Sequence, residues 1–246
     1  LYHGCIPMKK DGSFDAIHFR GQSYSGKSLM DLINKMVQSA YSLPESHPDK
    51  EKARDFMWYL WCGAKSPLFG KDKMTTFEHY FIEDKSTHKE TMNPYYQLSV
   101  KEEYCDKILK EFGLPTKGAH IINGHVPVKL KDGETPVKAG GKLFIIDGGL
   151  SKAYQSKTGI AGYTLIYNSY GLILAAHEPF ESTEAAIEKE SDIHSESIII
   201  KRVSNRKLVG DTDIGRQLRA KIVDLEMLLE AYHTGRIVEK FPVRGI

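Results

Sequence analysis

Apolar residues recur every three or four positions through much of the first half of the chain, which is typical of amphipathic helices. This spacing predicts three helices, over residues 25–41, 50–61 and 99–112. Gly113 and Pro115 are expected to end the third, because glycine and proline interrupt a helix. Residues 25–117 therefore predict a mostly helical segment.

Short apolar stretches with β-branched residues and glycine-rich turns favour strands elsewhere in the chain. Residues 15–20 predict one short strand near the start. Three further strands are predicted, over residues 119–124, 142–147 and 163–176. Residues 1–24 and 118–204 thus predict the sheet segments of an α/β core.

A longer helix is predicted in the remaining segment, residues 205–246. Thr212 and Asp213 are candidate caps for it, and Gly235 is a candidate stop. Six apolar residues step along it by four, four, three, four and three positions: Ile214, Leu218, Ile222, Leu225, Leu229 and Tyr232. Such a stripe either packs on its own domain or contacts another subunit, and the spacing leaves both interpretations open.

Composition narrows the function classes. The 34 basic and 32 acidic residues give a formal net charge of only +2, which does not favour binding to nucleic acid. The longest apolar runs, residues 143–146 and 198–200, are too short to cross a membrane. The 3 cysteines lie far apart and have no spacing typical of zinc or disulfide frameworks. We therefore expect a cytoplasmic protein.

Two histidines share a local context. His3 and His125 each lie where an apolar strand gives way to a turn, in Leu1-Tyr2-His3-Gly4 and Ile121-Ile122-Asn123-Gly124-His125. Open α/β sheets build their sites at the carboxyl ends of strands, and neutral imidazole is a good ligand for zinc, manganese or iron. A single histidine is more often structural, so the matching contexts carry the hypothesis of a metal site.

These histidine motifs also resemble those of a known superfamily. His3-Gly-Cys-Ile-Pro7 and Asn123-Gly-His125-Val-Pro127 are similar to the fourth and fifth motifs of calcineurin-like metallophosphoesterases. Longer phrases resemble the class III, Firmicutes-type fructose-1,6-bisphosphatases: Trp61-Cys-Gly-Ala-Lys65-Ser-Pro-Leu-Phe-Gly70, Thr75-Thr-Phe-Glu-His79-Tyr-Phe81, Asp147-Gly-Gly-Leu-Ser-Lys152-Ala-Tyr154 and Ala161-Gly-Tyr-Thr-Leu165. The resemblance covers essentially the whole chain.

The resemblance implies a fold and a reaction. The fold would be the C-terminal part of an α/β/β/α sandwich of the metallophosphoesterase type, with a helical insertion and a terminal helix. The reaction would be the gluconeogenic hydrolysis of fructose 1,6-bisphosphate to fructose 6-phosphate. His3 and His125 would ligate the same ion of a binuclear manganese centre.

The sequence also departs from the family pattern. Where many members have a second histidine after Gly-His, this chain has Pro127. The upstream Asp-x-His, Gly-Asp-x-x-Asp and Gly-Asn-His motifs do not occur, and no general acid can be named. We therefore expect an incomplete, inactive part of the enzyme that forms a homo-oligomer or associates with the missing N-terminal part.

A second phosphate on the substrate requires a basic pocket rich in hydrogen-bond donors. The turn after residues 142–147 has glycines and cations suited to an anion. Four candidate substrate-binding residues lie there: Ser151, Lys152, Tyr154 and Lys157. Lys65 and Ser66 are weaker candidates, and an ordinary solvated loop is the alternative.

Two other functions stay open. Gly21-Gln-Ser-Tyr-Ser-Gly26-Lys27-Ser28 matches the Walker A pattern, which predicts a P-loop that binds a nucleotide. In that hypothesis Lys27 would reach the phosphates, and Ser28 and Asp147 would hold magnesium. The third hypothesis is a non-catalytic assembly fragment.

Overall fold

A computed structural model describes residues 1–180, 182–188, 190, 195–203 and 205–238, without the side chains of residues 152, 195 and 199–201. Within it the chain divides into two compact units. One comprises Leu1–Thr164 with Ala175–Ser197, and the other comprises Leu165–Leu174 with Ile198–Ile246. The division into four segments that the sequence predicts follows other boundaries and stays a prediction.

A hairpin and two long helices form the first part of the chain. Strands β1 (Ala16–Phe19) and β2 (Gln22–Ser25) pair antiparallel, and helices α1 (Gly26–Ser42) and α2 (Lys50–Cys62) follow. The apolar faces of the two helices meet in a core that contains Ile17, Leu29, Leu32, Met36, Ala53, Phe56 and Leu60. The 3.6-residue period of these positions explains both helices, and the prediction of them is confirmed.

Three shorter helices follow: α3 (Thr76–Phe81), α4 (Tyr95–Leu98) and α5 (Glu102–Glu111). The predicted helix over residues 99–112 is therefore wrong at its start, because α4 and α5 are separate. The side chain of Asn93 accepts a hydrogen bond from the backbone N–H of Tyr95 at 3.0 Å, which fixes the start of α4. Helix α5 buries Cys105, Ile108 and Leu109 in a second core.

A small mixed sheet organises the site. Strands β3 (Ile121–Asn123), β4 (Val137–Lys138) and β5 (Leu143–Ile145) lie in the order β3-β5-β4. Strand β3 runs parallel to β5, whereas β4 is antiparallel to it. Tyr2 makes a parallel bridge to Asn123, so the start of the chain extends this parallel arrangement. Helix α6 (Lys152–Thr158) follows β5.

Strands β6 (Gly162–Asn168), β7 (Gly171–His177) and β8 (Ser195–Arg202) form a sheet in the order β6-β7-β8. The prediction of one strand over residues 163–176 is wrong, because a turn separates β6 from β7. In that turn the side chain of Asn168 accepts a hydrogen bond from the N–H of Tyr170 at 2.9 Å. Short helix α7 (Thr183–Glu188) lies between β7 and β8.

The predicted last helix is confirmed as α8 (Asp213–His233). The Thr212 hydroxyl caps it by accepting a hydrogen bond from the N–H of Gly215 at 3.1 Å. All six residues of the apolar stripe are exposed, with at least 44% of each residue accessible. Of the helices described, none has the length and apolar character needed to span a membrane. The mixture of helices and small sheets confirms an α/β protein.

Candidate metal centre

The strand pairing brings the two predicted histidines together. The N–H of Tyr2 donates to the carbonyl of Ile122 at 3.2 Å, and the N–H of Gly124 donates to the carbonyl of His3 at 3.0 Å. His125 therefore lies just beyond the carboxyl end of β3, and His3 lies just beyond Tyr2, which forms the parallel bridge to that strand. This is the edge at which open α/β sheets place their functional groups.

The two imidazoles are in direct contact. Nδ1 of His125 lies 3.1 Å from Nε2 of His3, and the rings meet edge to face at 74°. Nε2 of His125 lies 3.2 Å from the carbonyl oxygen of Phe69, which can only accept a hydrogen bond. That bond assigns the proton of His125 to Nε2, so the lone pair on Nδ1 faces His3.

Burial favours the form of His125 that can bind a metal. Desolvation lowers the pKa of His125 below its ordinary value, and the neighbouring His3 imidazole lowers it further. His125 is half-buried, whereas His3 is exposed. Only neutral imidazole ligates a metal, so the lowered pKa keeps His125 available as a ligand at neutral pH.

Unusual backbone conformation and close packing fix the positions of the two imidazole rings. His125 has φ +71°, a left-handed conformation that few residues other than glycine and asparagine adopt without strain. Gly4 packs against the loop at residues 64–70, and a Cβ atom added there would overlap the carbonyl oxygen of Pro67. Glycine is thus required directly after His3, where the chain passes close to that loop.

Asn123, at the end of β3, links that strand to the segment that carries His3. It is buried, and its Nδ2 donates to the carbonyl of Gly4 and to the Tyr95 hydroxyl, both at 3.0 Å. The Tyr95 hydroxyl also lies 2.7 Å from the Tyr2 hydroxyl, and burial raises the pKa of both phenols. Sequence reasoning missed Asn123 and Tyr95 as positioning residues, although a polar residue inside an apolar strand beside His125 was a usable signal.

Asp147 brings a carboxylate to the same edge. It follows β5, and its carbonyl accepts a hydrogen bond from the N–H of Val128 at 2.9 Å. Its charge acts on His125 in the direction that raises the pKa of the imidazole, against the larger effect of burial. Even so, the described part of the chain contains no group of three or more His, Cys, Asp or Glu that could hold a metal ion.

Cys5 does not extend the ligand set. It lies two residues after His3, but its side chain belongs to the apolar core beneath the sheet. Burial raises the pKa of the Cys5 thiol to about 12, whereas a metal ligand must be a thiolate. The arrangement therefore brings two imidazoles together, and their role as metal ligands stays a prediction.

The predicted substrate residues fall into two places. Ser151, Tyr154 and Lys157 are exposed at and within α6, while the side chain of Lys152 lies outside the described part of the structure. Lys65 forms an ion pair with Asp15 at 3.1 Å. Ser66 is buried, and its hydroxyl donates to the carbonyl of Leu60 at 2.5 Å. Whether any of these residues contacts a substrate stays a prediction.

The Walker A match does not form a P-loop. Its middle residues lie in β2, which pairs with β1. They therefore do not form the open loop that a P-loop wraps around a phosphate. The N–H of Lys27 donates to the Glu111 carboxylate at 2.9 Å, and the Lys27 ammonium pairs with Asp31 at 2.5 Å. A carboxylate of the protein thus occupies the helix N-terminus that a nucleotide phosphate would need.

Comparison with known proteins identifies the family. Residues 1–234 match the model of the Firmicute fructose-1,6-bisphosphatase family. This chain belongs to that family. Among its curated relatives, the "Fructose-1,6-bisphosphatase class 3 1" of Clostridium beijerinckii is 55% identical over 240 residues, which cover 98% of this chain. The class 3 enzymes of Clostridium tetani and Alkaliphilus metalliredigens are 56% and 55% identical over 97% and 98% of the chain.

The chain spans 36% of the length of each of these fructose-1,6-bisphosphatases. No solved structure matches it. The family resemblance of the sequence is confirmed by the family model and by these relatives.

Proposed function

We propose that this chain is part of a phosphatase that hydrolyses fructose 1,6-bisphosphate to fructose 6-phosphate in gluconeogenesis. Its membership of the Firmicute fructose-1,6-bisphosphatase family supports this substrate. The single structural observation that carries the proposal is the contact between His3, just beyond Tyr2, and His125, just beyond the carboxyl end of β3. We assign the surrounding fold to a metallophosphoesterase sandwich because the His3 and His125 motifs resemble those of that superfamily.

The histidine pair fits one divalent metal ion. Nδ1 of His125 and Nε2 of His3 would hold the ion together, because neutral imidazole nitrogens are common metal ligands. The nitrogen atoms of His3 and His125 are 3.1 Å apart, and the Phe69 carbonyl orients His125 as an outer hydrogen-bond partner would. We propose manganese as the ion. When bound, it supplies Lewis-acid chemistry at phosphoryl oxygens.

Two ligands are too few for a binuclear centre. We infer from the ligand count that this chain alone does not hydrolyse the substrate, and that its role is to complete a site with further ligands. His3 and His125 would hold one ion, with Asn123 fixing the backbone after His3 and the Phe69 carbonyl orienting the His125 ring. The exposed donors at the start of α6, including Ser151, Tyr154 and Lys157, are proposed to contact the substrate.

Helix α8 is proposed to associate with a second copy of the chain. Leu218, Ile222, Leu225, Leu229 and Tyr232 occupy alternating a and d positions of a heptad repeat and are all exposed. In a parallel pair of such helices, Lys221 at a g position faces Glu226 at an e position of the other copy. Another segment of a longer polypeptide is the competing partner.

The cytoplasm is the proposed compartment. Cys5, Cys62 and Cys105 are all free thiols. Burial raises the pKa of the Cys105 thiol, like that of Cys5, to about 12, so neither is reactive. Unpaired cysteines are typical of proteins from reducing compartments.

Phosphate release tests the proposed function. A full-length polypeptide that contains this sequence is expected to release phosphate from fructose 1,6-bisphosphate when manganese is added, and the 246-residue chain is not. His125→Asn in the full-length polypeptide should abolish that release. Manganese-dependent activity in the isolated chain would contradict the inference that further ligands are needed.

A further inference from the structure

A cavity of about 760 Å³ is lined in part by the loop at residues 64–72, which also contains the hydrogen-bond partner of His125. Its walls come from the turn that follows the His3 motif, from the loop at residues 64–72 and from the segment that leads into α4. Four lysines line it: Lys9, Lys10, Lys65 and Lys71. Its volume lies within the range of about 300–1,000 Å³ that is usual for small-molecule sites.

The cavity and the candidate metal centre share one loop. Phe69 accepts the hydrogen bond of His125 through its carbonyl oxygen, and Lys71 lies two residues further along the same loop. The Lys71 ammonium is 5.7 Å from the centre of the Phe69 ring. The loop that orients His125 through Phe69 is thus the loop that contributes Lys71 to the cavity wall.

The charges in the cavity are arranged for an anion. Lys65 pairs with Asp15 at 3.1 Å, and Lys71 pairs with Glu90 at 2.5 Å, which holds both lysines in the wall. Lys9 and Lys10 are exposed, and neither forms an ion pair with a residue that the structure describes. Asp72 also lines the cavity, and its carboxylate accepts a hydrogen bond from the N–H of Thr91. Among the described residues, two unpaired lysines against this one carboxylate leave the cavity with a net positive charge. Flexible ammonium groups of this kind are common ligands for phosphate.

We propose that this cavity binds the phosphate of the sugar bisphosphate that is not hydrolysed, an inference that rests on the proposed function. The substrate carries two phosphates, and the metal centre needs one of them. The cavity shares the loop at residues 64–72 with the outer partner of His125, and the ammonium groups of Lys9 and Lys10, unpaired within the described part of the chain, are free to bind the other phosphate. Ser151, Tyr154 and Lys157 are then left to contact the sugar or the phosphate that is cleaved.

Calorimetric titration of the metal-free chain in EDTA tests this site separately from catalysis. The probe is fructose 6-phosphate, with inorganic phosphate as a second arm. We expect fructose 6-phosphate to bind, and the double variant Lys9→Gln/Lys10→Gln to weaken it about tenfold, equivalent to about 1.4 kcal/mol. Lys27→Gln is the matched control, because Lys27 pairs with Asp31 away from the cavity, and it should leave the affinity unchanged.

Three results would overturn the assignment. One is unchanged affinity in the double variant, and another is loss of affinity in Lys157→Gln instead, which would place the phosphate at α6. The third is equal affinity for inorganic phosphate and fructose 6-phosphate, because the site would then not recognise a sugar phosphate. Circular dichroism spectra identical to that of the parent chain would show that each variant is folded.

The same measurements separate the cavity from the proposed function. If the full-length polypeptide releases no phosphate from fructose 1,6-bisphosphate but the lysine-dependent binding persists, the reaction is wrong and the phosphate site stands. If the polypeptide is active and the double variant binds fructose 6-phosphate as tightly as the parent chain, the reaction stands and the cavity assignment is wrong.

Discussion

Nδ1 of His125 lies 3.1 Å from Nε2 of His3, although the two residues are 122 positions apart in the sequence. The contact arises because Tyr2 and Asn123 pair in parallel, so the next residues of both strands reach the same edge of the sheet. The Phe69 carbonyl accepts a hydrogen bond from the Nε2–H of His125, which leaves Nδ1 of His125 as an acceptor. The apposition of the two nitrogens thus follows from main-chain pairing and one outer hydrogen bond.

Replacing His125 with asparagine should remove metal binding and keep the fold. Asparagine tolerates the left-handed φ of +71°, whereas valine there should cost about 1–2 kcal/mol of unfolding free energy. We expect His125→Asn to weaken manganese binding at least about tenfold, the lower end of the loss that even an outer-shell change causes. Manganese electron paramagnetic resonance measures this. His18→Asn on β1 is the control, and equal binding by both variants would rule out His125 as a ligand.

Stability of the metal-free chain should depend on pH through His125. Its pKa is lowered in the folded state by burial and by His3, so the unfolded chain takes up this proton more readily. In the unfolded chain the pKa of this histidine is about 6.5. The His125 proton therefore does not reduce the unfolding free energy above that pH, and the unfolding free energy decreases as the pH falls below it. The loss levels off below the folded pKa.

Urea unfolding in EDTA at pH 7.5 and pH 5 measures this dependence. We attribute this loss of stability at low pH to the His125 imidazole. His125→Asn should therefore lose less stability between the two pH values than the parent chain. His18→Asn should keep the parent's decrease, because His18 is exposed. An identical decrease in all three proteins would show that another group is responsible.

Removing the side chain of Asn123 should loosen the histidine pair. Asn123→Ala deletes the bonds to the Gly4 carbonyl and the Tyr95 hydroxyl and leaves both groups buried without that partner. Each buried group left unsatisfied costs about 1–3 kcal/mol. We expect a lower urea midpoint and weaker manganese binding, both measurable on one preparation. Asn34→Ala on the exposed side of α1 should change neither; if Asn123→Ala also changes neither, Asn123 does not position the site.

A buried lysine should be important for the contact between the two long helices. Lys50 is 8% exposed, and its ammonium donates to the carbonyls of Ala40 and Tyr41 in the last turn of α1, at 2.6 and 3.4 Å. These carbonyls have no partner within the helix. Lys50→Met should therefore reduce the unfolding free energy by about 1–3 kcal/mol. Lys52→Met, on an exposed position, should not, and equal effects in urea unfolding would contradict this role.

The histidine pair could be predicted from the sequence because each residue carries its own local signal, an apolar strand followed by a turn. Asn123 and Tyr95 could not be assigned in the same way, since their partners come from distant segments that only the fold brings together. Strand β2 was missed although β1 was predicted, because Gln22–Ser25 carries no apolar alternation and its pairing with β1 is not a local signal. Likewise, residues 163–176 were predicted as one strand because most of them are apolar. The chain in fact reverses direction in a turn at Asn168.

The exposed stripe of α8 should make the chain dimeric in a concentration-dependent way. Leu225 is 63% exposed at the centre of the seam, so Leu225→Glu should give a monomer with unchanged helix content, measured by light scattering and circular dichroism. Lys221→Glu places like charges opposite Glu226 of the second copy and should weaken the dimer, whereas Lys221→Glu/Glu226→Lys restores opposite charges and should recover it. Recovery in the double variant requires a second copy as the partner. If the parent chain stays monomeric at every concentration, the stripe of α8 instead packs against a different segment of a longer polypeptide.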